Sequence, residues 1–235
     1  MINKPLLVFI PGTLCTSQVF QPIVENLKYD AVLIDYKYHD SLQAMSEEVL
    51  RLVGDKPFIP VGFSMGGMVA FELIRRANEQ ISGLILLNSN ANADLPGRQE
   101  GRDRHLALAK KNNLTKLMQD VYLPVYFEKN DFAQSQIVLQ MAENLGIDVF
   151  EAQIKVLAQR PDSLDVLEKF AKPTLIIGGE NDLPCPPLHQ LLMADTAVNS
   201  ECHILPQCGH FAVLEEPQKI AKLINRWIEK YHEQF

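Results

Sequence analysis

Residues 58–67 read FIPVGFSMGG, and this stretch decides how the rest of the chain is interpreted. An apolar run is followed at once by Ser64 and then by a helical segment that extends to Ala77. The run predicts a strand buried on both faces, and the segment after it predicts a helix. Gly62, Ser64 and Gly66 form a G-x-S-x-G pattern at the junction, so the chain must turn sharply with serine at the apex.

Ser64 is the candidate nucleophile. A sharp strand-to-helix turn would lift its hydroxyl above the edge of the sheet and hold its backbone in a strained conformation. Glycine at 62 and 66 would leave room for the crowded backbone, and Gly67 would let the helix pack closely on its strand. A plain tight turn would carry the same letters, but partners further along the chain favour the chemical interpretation.

His210 is the candidate base, because a serine hydroxyl is a poor nucleophile at neutral pH. It follows the last apolar strand, which puts it at the same sheet edge as Ser64, since loops leave from the carboxyl ends of parallel strands. The other histidines lie in a strand, at a helix start, well after a strand, in the middle of the chain or in the tail: His203, His189, His39, His105 and His232.

Asp182 is the candidate carboxylate that would orient the base and stabilise the imidazolium. It directly follows the predicted strand at 174–177, and Glu180 is a neighbouring alternative. The order serine, aspartate, histidine along the chain is typical of triads on parallel α/β sheets.

An oxyanion hole needs two backbone N–H groups aimed at the developing charge. One is predicted to be that of Met65, directly after the serine. The other is predicted in the loop after the first strand, with Thr13 as the first choice and Leu14 as the second.

Apolar runs alternate with helical segments in both halves of the chain and predict an α/β fold. Strands are predicted at residues 6–10, 31–34, 58–63, 81–87, 174–177 and 202–205. Helices between them are predicted at residues 16–27, 41–53, 65–77, 188–194 and 220–231. The alternation predicts about six parallel strands with helices on both faces.

Between residues 95 and 170 the periodicity is helical and no convincing strand occurs. Helices are predicted there at residues 106–121, 132–145 and 149–157. We therefore predict a core formed by residues 1–94 and 171–235, interrupted by a helical cap at 95–170.

Short segments spread over the whole core resemble the α/β-hydrolase superfamily. They are Ile10-Pro11-Gly12, Gly62-Phe63-Ser64-Met65-Gly66-Gly67, Pro173-Thr174 with Gly178 and Asp182, and Gly209-His210 with Leu214-Glu215 and Pro217. The resemblance implies that Ser64, Asp182 and His210 form a catalytic triad, in agreement with the choice made from the residues. It also implies a fold that lacks the superfamily's N-terminal antiparallel hairpin.

Two loops depart from the pattern of that superfamily. Many members carry His-Gly where this chain has Pro11-Gly12, although backbone donors in that loop do not depend on the side chain. Residues 35–41, DYKYHDS, resemble a family loop of the form D-x-R-G-H-G-x-S but lack both glycines. We expect this second loop to be reshaped.

The main functional hypothesis is hydrolysis of a small carboxylic ester or thioester through an acyl-enzyme. The same triad on this fold also supports lyase chemistry, carbon–carbon bond cleavage and acyl transfer, so the substrate stays open. A non-catalytic ligand-binding protein is the third hypothesis, and the complete set of three groups argues against it.

The composition excludes other classes of protein. The chain has 235 residues, 47% of them hydrophobic, which suffices for one well-cored domain. Its formal net charge of −7 disfavours nucleic-acid binding, and no apolar run is long enough to span a bilayer. The spacing of the cysteines predicts free thiols: Cys15, Cys185, Cys202 and Cys208. We expect a cytoplasmic monomer or homodimer that needs no cofactor and no metal.

Two groups of side chains in residues 95–170 admit two interpretations each. Basic residues could attract anionic substrates, but interleaved acidic residues favour a solvated helix face: Arg98, Arg102, Arg104, His105, Lys110 and Lys111. Aromatic residues fit an acyl pocket and the cap's own core equally well: Tyr122, Tyr126, Phe127, Phe132 and Phe150. Cys15 and Cys208 lie near the site in sequence, and we interpret them as small buried residues.

Overall fold

The centre of the molecule is a parallel sheet. The computed structural model describes residues 5–129 and 131–235. Its strands are β1 (Leu6–Ile10), β2 (Ala31–Leu33), β3 (Phe58–Phe63), β4 (Leu84–Leu87), β5 (Thr174–Gly179) and β6 (Ser200–Leu205). They form one six-stranded sheet in the order β2-β1-β3-β4-β5-β6, and every pairing is parallel. The predicted fold class is therefore confirmed.

Helices account for most of the remaining chain. They are α1 (Gln21–Val24), α2 (Leu42–Val53), α3 (Met65–Ala77), α4 (Arg98–Asn112), α5 (Leu114–Leu117), α6 (Leu123–Tyr126), α7 (Phe132–Gln159), α8 (Leu164–Lys169), α9 (Pro187–Thr196), α10 (Ala212–Glu215) and α11 (Pro217–Tyr231). None of the described helices is both long enough and apolar enough to cross a membrane.

The sheet is buried on both faces because successive strand residues are apolar. In β1, Leu7 and Phe9 join the core on one face, whereas Val8 and Ile10 join the core on the other. Helices α2, α3, α8 and α9 contribute buried residues to the Val8 side. Helices α1, α10 and α11 contribute to the Leu7 side, together with α4, α5 and α7 from the middle of the chain.

The segment between β4 and β5 contains helices and no strand among its described residues. The long helix α7 is interrupted at Gly146, whose φ of 79° is not helical. The break lies between the two helices that were predicted at residues 132–145 and 149–157. The proposed domain boundaries at 94/95 and 170/171 stay a prediction.

The predicted helix at 16–27 is wrong in length. The chain forms a 3₁₀ turn at Ser17–Phe20 and then only the single turn of α1. Asn26 ends the helix, because its backbone N–H donates to Ile23 O (3.0 Å) and its side-chain amide donates to Pro22 O (2.9 Å). The side chain thus takes the carbonyl that the next helical N–H would have used.

The predicted helix at 106–121 begins and ends too late. Helix α4 already starts at Arg98, and periodicity did not predict this start because the first turns are polar on every side and carry no apolar period. It ends at Asn112, since Asn113 adopts a φ of 83° and its side chain accepts a hydrogen bond from Lys116 N (2.8 Å).

The junction of β3 and α3 is as crowded as the G-x-S-x-G pattern predicts. A Cβ on Gly66 would lie 2.0 Å from the carbonyl oxygen of Ile10 in β1. A Cβ on Gly62 would lie 2.5 Å from the carbonyl oxygen of Gly66. Ser64 between them adopts a φ of 51° and a ψ of −115°. Backbone contacts therefore require glycine on both sides of the serine.

We predict that Gly66→Ala destabilises the fold by about 3 kcal/mol, because the added methyl group overlaps backbone that cannot rotate away. Gly101→Ala is the matched control, since a Cβ at this position in the first turn of α4 would meet no atom within 4 Å. The control should be neutral or stabilise by up to about 1 kcal/mol. Chemical denaturation of both variants measures the difference, and equal stabilities would contradict the interpretation.

Candidate active site

Ser64 sits at the apex of the turn and is held by the neighbouring strand. Its N–H donates to Leu87 O (2.9 Å) at the end of β4. Its carbonyl accepts from the hydroxyl of Ser89 (2.7 Å) and from Gly67 N (3.0 Å). A non-glycine residue at positive φ is strained, so these bonds help to hold a conformation that is otherwise unfavourable.

The structure brings together the three predicted triad residues. His210 Nε2 lies 3.0 Å from Ser64 Oγ, and its Nδ1 lies 2.9 Å and 3.0 Å from the two oxygens of Asp182. Asp182 and His210 are 1% and 4% exposed. The loops after β3, β5 and β6 supply one residue each. The arrangement can move a proton from the serine hydroxyl to an imidazole that a carboxylate orients.

Asn88 supports Asp182, and the sequence analysis missed it. Its side-chain amide donates to Asp182 Oδ2 (2.9 Å) and to Gly209 O (3.2 Å), while Cys185 N donates to Asp182 Oδ1 (2.8 Å). Asn88 is fully buried, with a φ of 47°. The signal was available, because a polar residue directly after β4 must lie at the same sheet edge as the other three loops.

Glu180, the alternative to Asp182, faces away from the histidine. Its carboxylate accepts from Gln207 N (3.0 Å) and the residue is exposed. Of the two candidate carboxylates, Asp182 is therefore the one that is hydrogen-bonded to His210.

The histidine loop is attached to the segment around α6. The carbonyl of Tyr126 accepts from His210 N (2.8 Å) and Phe211 N (3.1 Å). The Glu215 carboxylate accepts from Gly209 N (2.8 Å) and Glu128 N (2.9 Å), and burial raises its pKa above the ordinary value. The position of the base thus depends on helices that lie outside the sheet.

The two candidates for the second oxyanion donor differ in their bonding. Leu14 N already donates to Gln153 Oε1 (2.8 Å), a buried side chain on α7. The N–H groups of Thr13 and Met65 donate to no acceptor in the part of the chain that the structure describes. Leu14, the second choice, is therefore occupied, whereas Thr13 and Met65 are free to bind a ligand oxygen.

A cavity of about 400 Å³ opens directly above Ser64 and His210. Its volume lies in the range of sites for small molecules. Three of the five predicted aromatic residues line it: Tyr122, Tyr126 and Phe150. Phe127 packs instead on Phe211, with ring centroids 5.3 Å apart, and Phe132 is 78% exposed. Three of these aromatic residues thus line the cavity, Phe127 packs on Phe211, and Phe132 lies at the surface.

The basic group is also divided, because half of its members line the cavity and the other half do not. Arg98, Arg102 and His105 line the cavity. Arg104 and Lys111 are exposed outside it, and Lys110 pairs with Glu151 (2.8 Å). The helical period of α4 explains the division, because positions 98, 102 and 105 share one face.

The cysteines do not offer a second nucleophile. Cys15, Cys185 and Cys208 are buried and free. Free thiols were predicted for all the cysteines, and burial was predicted for Cys15 and Cys208. Burial raises the pKa of Cys185 to about 12 and raises the pKa of the other two thiols as well. At neutral pH these thiols are protonated, and a protonated thiol is a weak nucleophile.

One group of potential metal ligands occurs among the described residues, and it overlaps the triad. Donor atoms of Asp182, Cys185 and His210 lie within 4.8 Å of one another. The facing atoms of the aspartate and the histidine are already hydrogen-bonded to each other. The expectation that no metal is needed stays a prediction.

Comparison with known proteins agrees with this geometry. A sequence model of the alpha/beta hydrolase fold matches residues 5–217. The chain belongs to that family. Among curated relatives, a pimeloyl-[acyl-carrier protein] methyl ester esterase of Nitrosomonas europaea is 26% identical, and the alignment covers 92% of this chain and 93% of the relative.

One further relative and one solved structure are also similar to this alpha/beta hydrolase. A 2-succinyl-6-hydroxy-2,4-cyclohexadiene-1-carboxylate synthase of Escherichia coli is also 26% identical, with 91% of this chain and 89% of the relative covered. A thermophilic esterase of Thermogutta terrifontis superposes with a TM-score of 0.89 at 24% identity, over 98% of this chain and 91% of that one. The structural likeness confirms the fold that the sequence predicted.

We predict that Asn88→Gly lowers the free energy of unfolding by about 1–3 kcal/mol, because the buried Asp182 carboxylate and the Gly209 carbonyl lose a donor. Glycine keeps the positive φ that this position needs. Asn113→Gly is the matched control, since it also has a positive φ but only caps α5 at the surface. A cap change of that kind costs a few tenths of a kcal/mol, about 0.3. Equal losses in thermal unfolding would refute a supporting role for Asn88.

Proposed function

We propose that this protein is a serine hydrolase that cleaves a small carboxylic ester or thioester through an acyl-enzyme. The observation that carries the proposal is the continuous chain of hydrogen bonds from Asp182 through His210 to the hydroxyl of Ser64. That hydroxyl lies on the wall of a cavity large enough for a small substrate.

In the proposed reaction, His210 Nε2 takes the proton of Ser64 as Oγ attacks the substrate carbonyl. The N–H groups of Met65 and Thr13 bind the oxyanion that forms. Asp182 stabilises the imidazolium, which then protonates the leaving alcohol or thiol. Water enters, His210 removes its proton, and attack on the acyl-enzyme carbonyl releases the acid and restores Ser64.

A second candidate is a lyase that uses the same groups without net hydrolysis. The observation that favours it is the Escherichia coli relative, which carries the name of a synthase and matches this chain at the same 26% identity as the esterase relative. In a lyase, His210 would act as the base on the substrate itself, and no acyl group would have to be transferred to Ser64.

Residues 95–170 are proposed to act as a cap that shapes the substrate site. Support comes from Arg102, Tyr122 and Phe150 in this segment, which all line the cavity. We also propose that the protein is cytoplasmic, and its four free cysteines support this compartment. The monomer or homodimer expected from the sequence stays a prediction.

We predict that Ser64→Ala abolishes covalent labelling by a fluorophosphonate probe and lowers ester turnover by about 10⁴-fold or more. Ser46→Ala is a matched control, because this buried serine of α2 bonds only within its own helix. Labelling that persists in folded Ser64→Ala would exclude Ser64 as the nucleophile. Labelling of the wild type without turnover of any p-nitrophenyl ester would favour the lyase.

We predict that Gln153→Met lowers kcat by about tenfold with little change in KM, because the loop that presents Thr13 loses its anchor at Leu14 N. Gln140→Met on the exposed side of the same helix is the control. Steady-state kinetics and thermal unfolding of both variants separate a local effect from loss of the fold. Unchanged kcat in folded Gln153→Met would show that the loop keeps its geometry without this bond.

A further inference from the structure

One wall of the cavity above Ser64 carries an excess of positive charge. Arg98, Arg102 and Arg160 all line it, and among the described residues no aspartate or glutamate lines it. Arg98 and Arg102 project from the first turns of α4, and Arg160 follows α7. Two separate parts of the chain therefore converge to place guanidinium groups in one cavity.

The carboxylate of Asp94 forms ion pairs with two of the three arginines. Asp94 binds Arg102 through both oxygens and lies 3.0 Å from Arg160 Nη1. Burial opposes ionisation of Asp94, but the positive charges of Arg102, Arg160 and Arg98 together hold its pKa below the ordinary value. Arg98 forms no ion pair within the described part of the chain. Three positive charges thus face one negative charge.

The two inner arginines are fixed rather than loosely solvated. The side chains of Arg102 and Arg160 are 12% and 6% exposed. Arg160 Nε donates to Asn92 O (3.0 Å) and Nη1 to Leu157 O (2.7 Å), so the plane of its guanidinium is set by the backbone. A structural ion pair needs one arginine for each carboxylate, whereas an unbalanced, oriented cluster beside a cavity suits an anion from outside.

Apolar side chains line the same cavity as this cluster and the nucleophile. Phe150, Ile154 and Leu157 line the cavity along α7, and Val125 lines it from α6. A ligand that satisfies both ends would therefore carry an anionic group, a short hydrocarbon portion and a reactive carbonyl.

We propose that the substrate carries a free carboxylate that binds at the Arg98–Arg102–Arg160 wall while its ester or thioester carbonyl lies at Ser64. The reaction in this proposal rests on the proposed function, whereas the carboxylate-binding site is argued from the arginines alone. The carboxylate belongs either to the acyl part or to the leaving part of the substrate, and the chemistry of recognition is the same for both.

The test compares matched esters that differ in one carboxylate. In the first arm, the mono-p-nitrophenyl ester of adipic acid is compared with p-nitrophenyl hexanoate. In the second arm, the acetyl ester of 6-hydroxyhexanoate is compared with hexyl acetate. We expect the acid to be cleaved with at least about tenfold higher kcat/KM in one arm, and added salt to reduce that preference because it screens the charges.

Arg98→Met and Arg104→Met form the matched pair of variants. Both residues are exposed on α4 and each substitution removes one positive charge, but only Arg98 lines the cavity. We expect Arg98→Met to lose most of the preference for the acid and Arg104→Met to keep it. Equal kcat/KM for acid and neutral ester in both arms, or an unchanged preference in Arg98→Met, would overturn the proposal.

A binding measurement separates this proposal from the proposed function. Calorimetric titration of the wild-type protein with adipate and with hexanoate requires no turnover. Stronger binding of adipate that is lost in Arg98→Met supports the carboxylate site even if no ester is cleaved. Failure of fluorophosphonate labelling at Ser64 would overturn the serine hydrolase instead, whereas equal binding of adipate and hexanoate would overturn the carboxylate site alone.

Discussion

The structure depends on the close approach of α3 to β1 at Gly66. The position that a Cβ would take there is filled by the carbonyl of Ile10, so the helix and the strand meet through backbone alone. This contact forces the chain to reverse within one residue, and that residue is Ser64 at positive φ. The strain at the serine is thus a consequence of packing, and it exposes the hydroxyl above the sheet.

The parallel sheet then determines where the partners of Ser64 must come from. Loops after β4, β5 and β6 leave from the same edge, and they bring Asn88, Asp182 and His210 together. This edge is buried, where hydrogen bonds between polar groups are strongly favoured, and the amide nitrogen of Asn88 joins the aspartate to the histidine loop. The bonds of Tyr126 and Glu215 extend the network to the helices above. The geometry of the candidate triad and the position of the segment around α6 are therefore coupled.

The core was predictable because its signals are local. An apolar strand, a glycine-flanked serine and a polar residue after each strand are readable within a few positions, as for Ser64, Asp182 and His210. The region from 95 to 170 was less predictable, because α4 begins with turns that are polar all round. Asn26 and Asn113 ended helices through side-chain bonds that periodicity does not reveal.

The parallel α/β fold, the resemblance to the family and the three residues at the sheet edge could all be predicted from the amino-acid sequence alone. The choice between Thr13 and Leu14 as oxyanion donor depended on tertiary contacts, because Leu14 N donates to Gln153, which lies 139 residues further along the chain. The tertiary structure also decided that Arg98, Arg102 and Arg160 face one cavity while Arg104 does not. Strand positions follow from local patterns, whereas the direction of a side chain on α4 depends on which distant surface that helix buries.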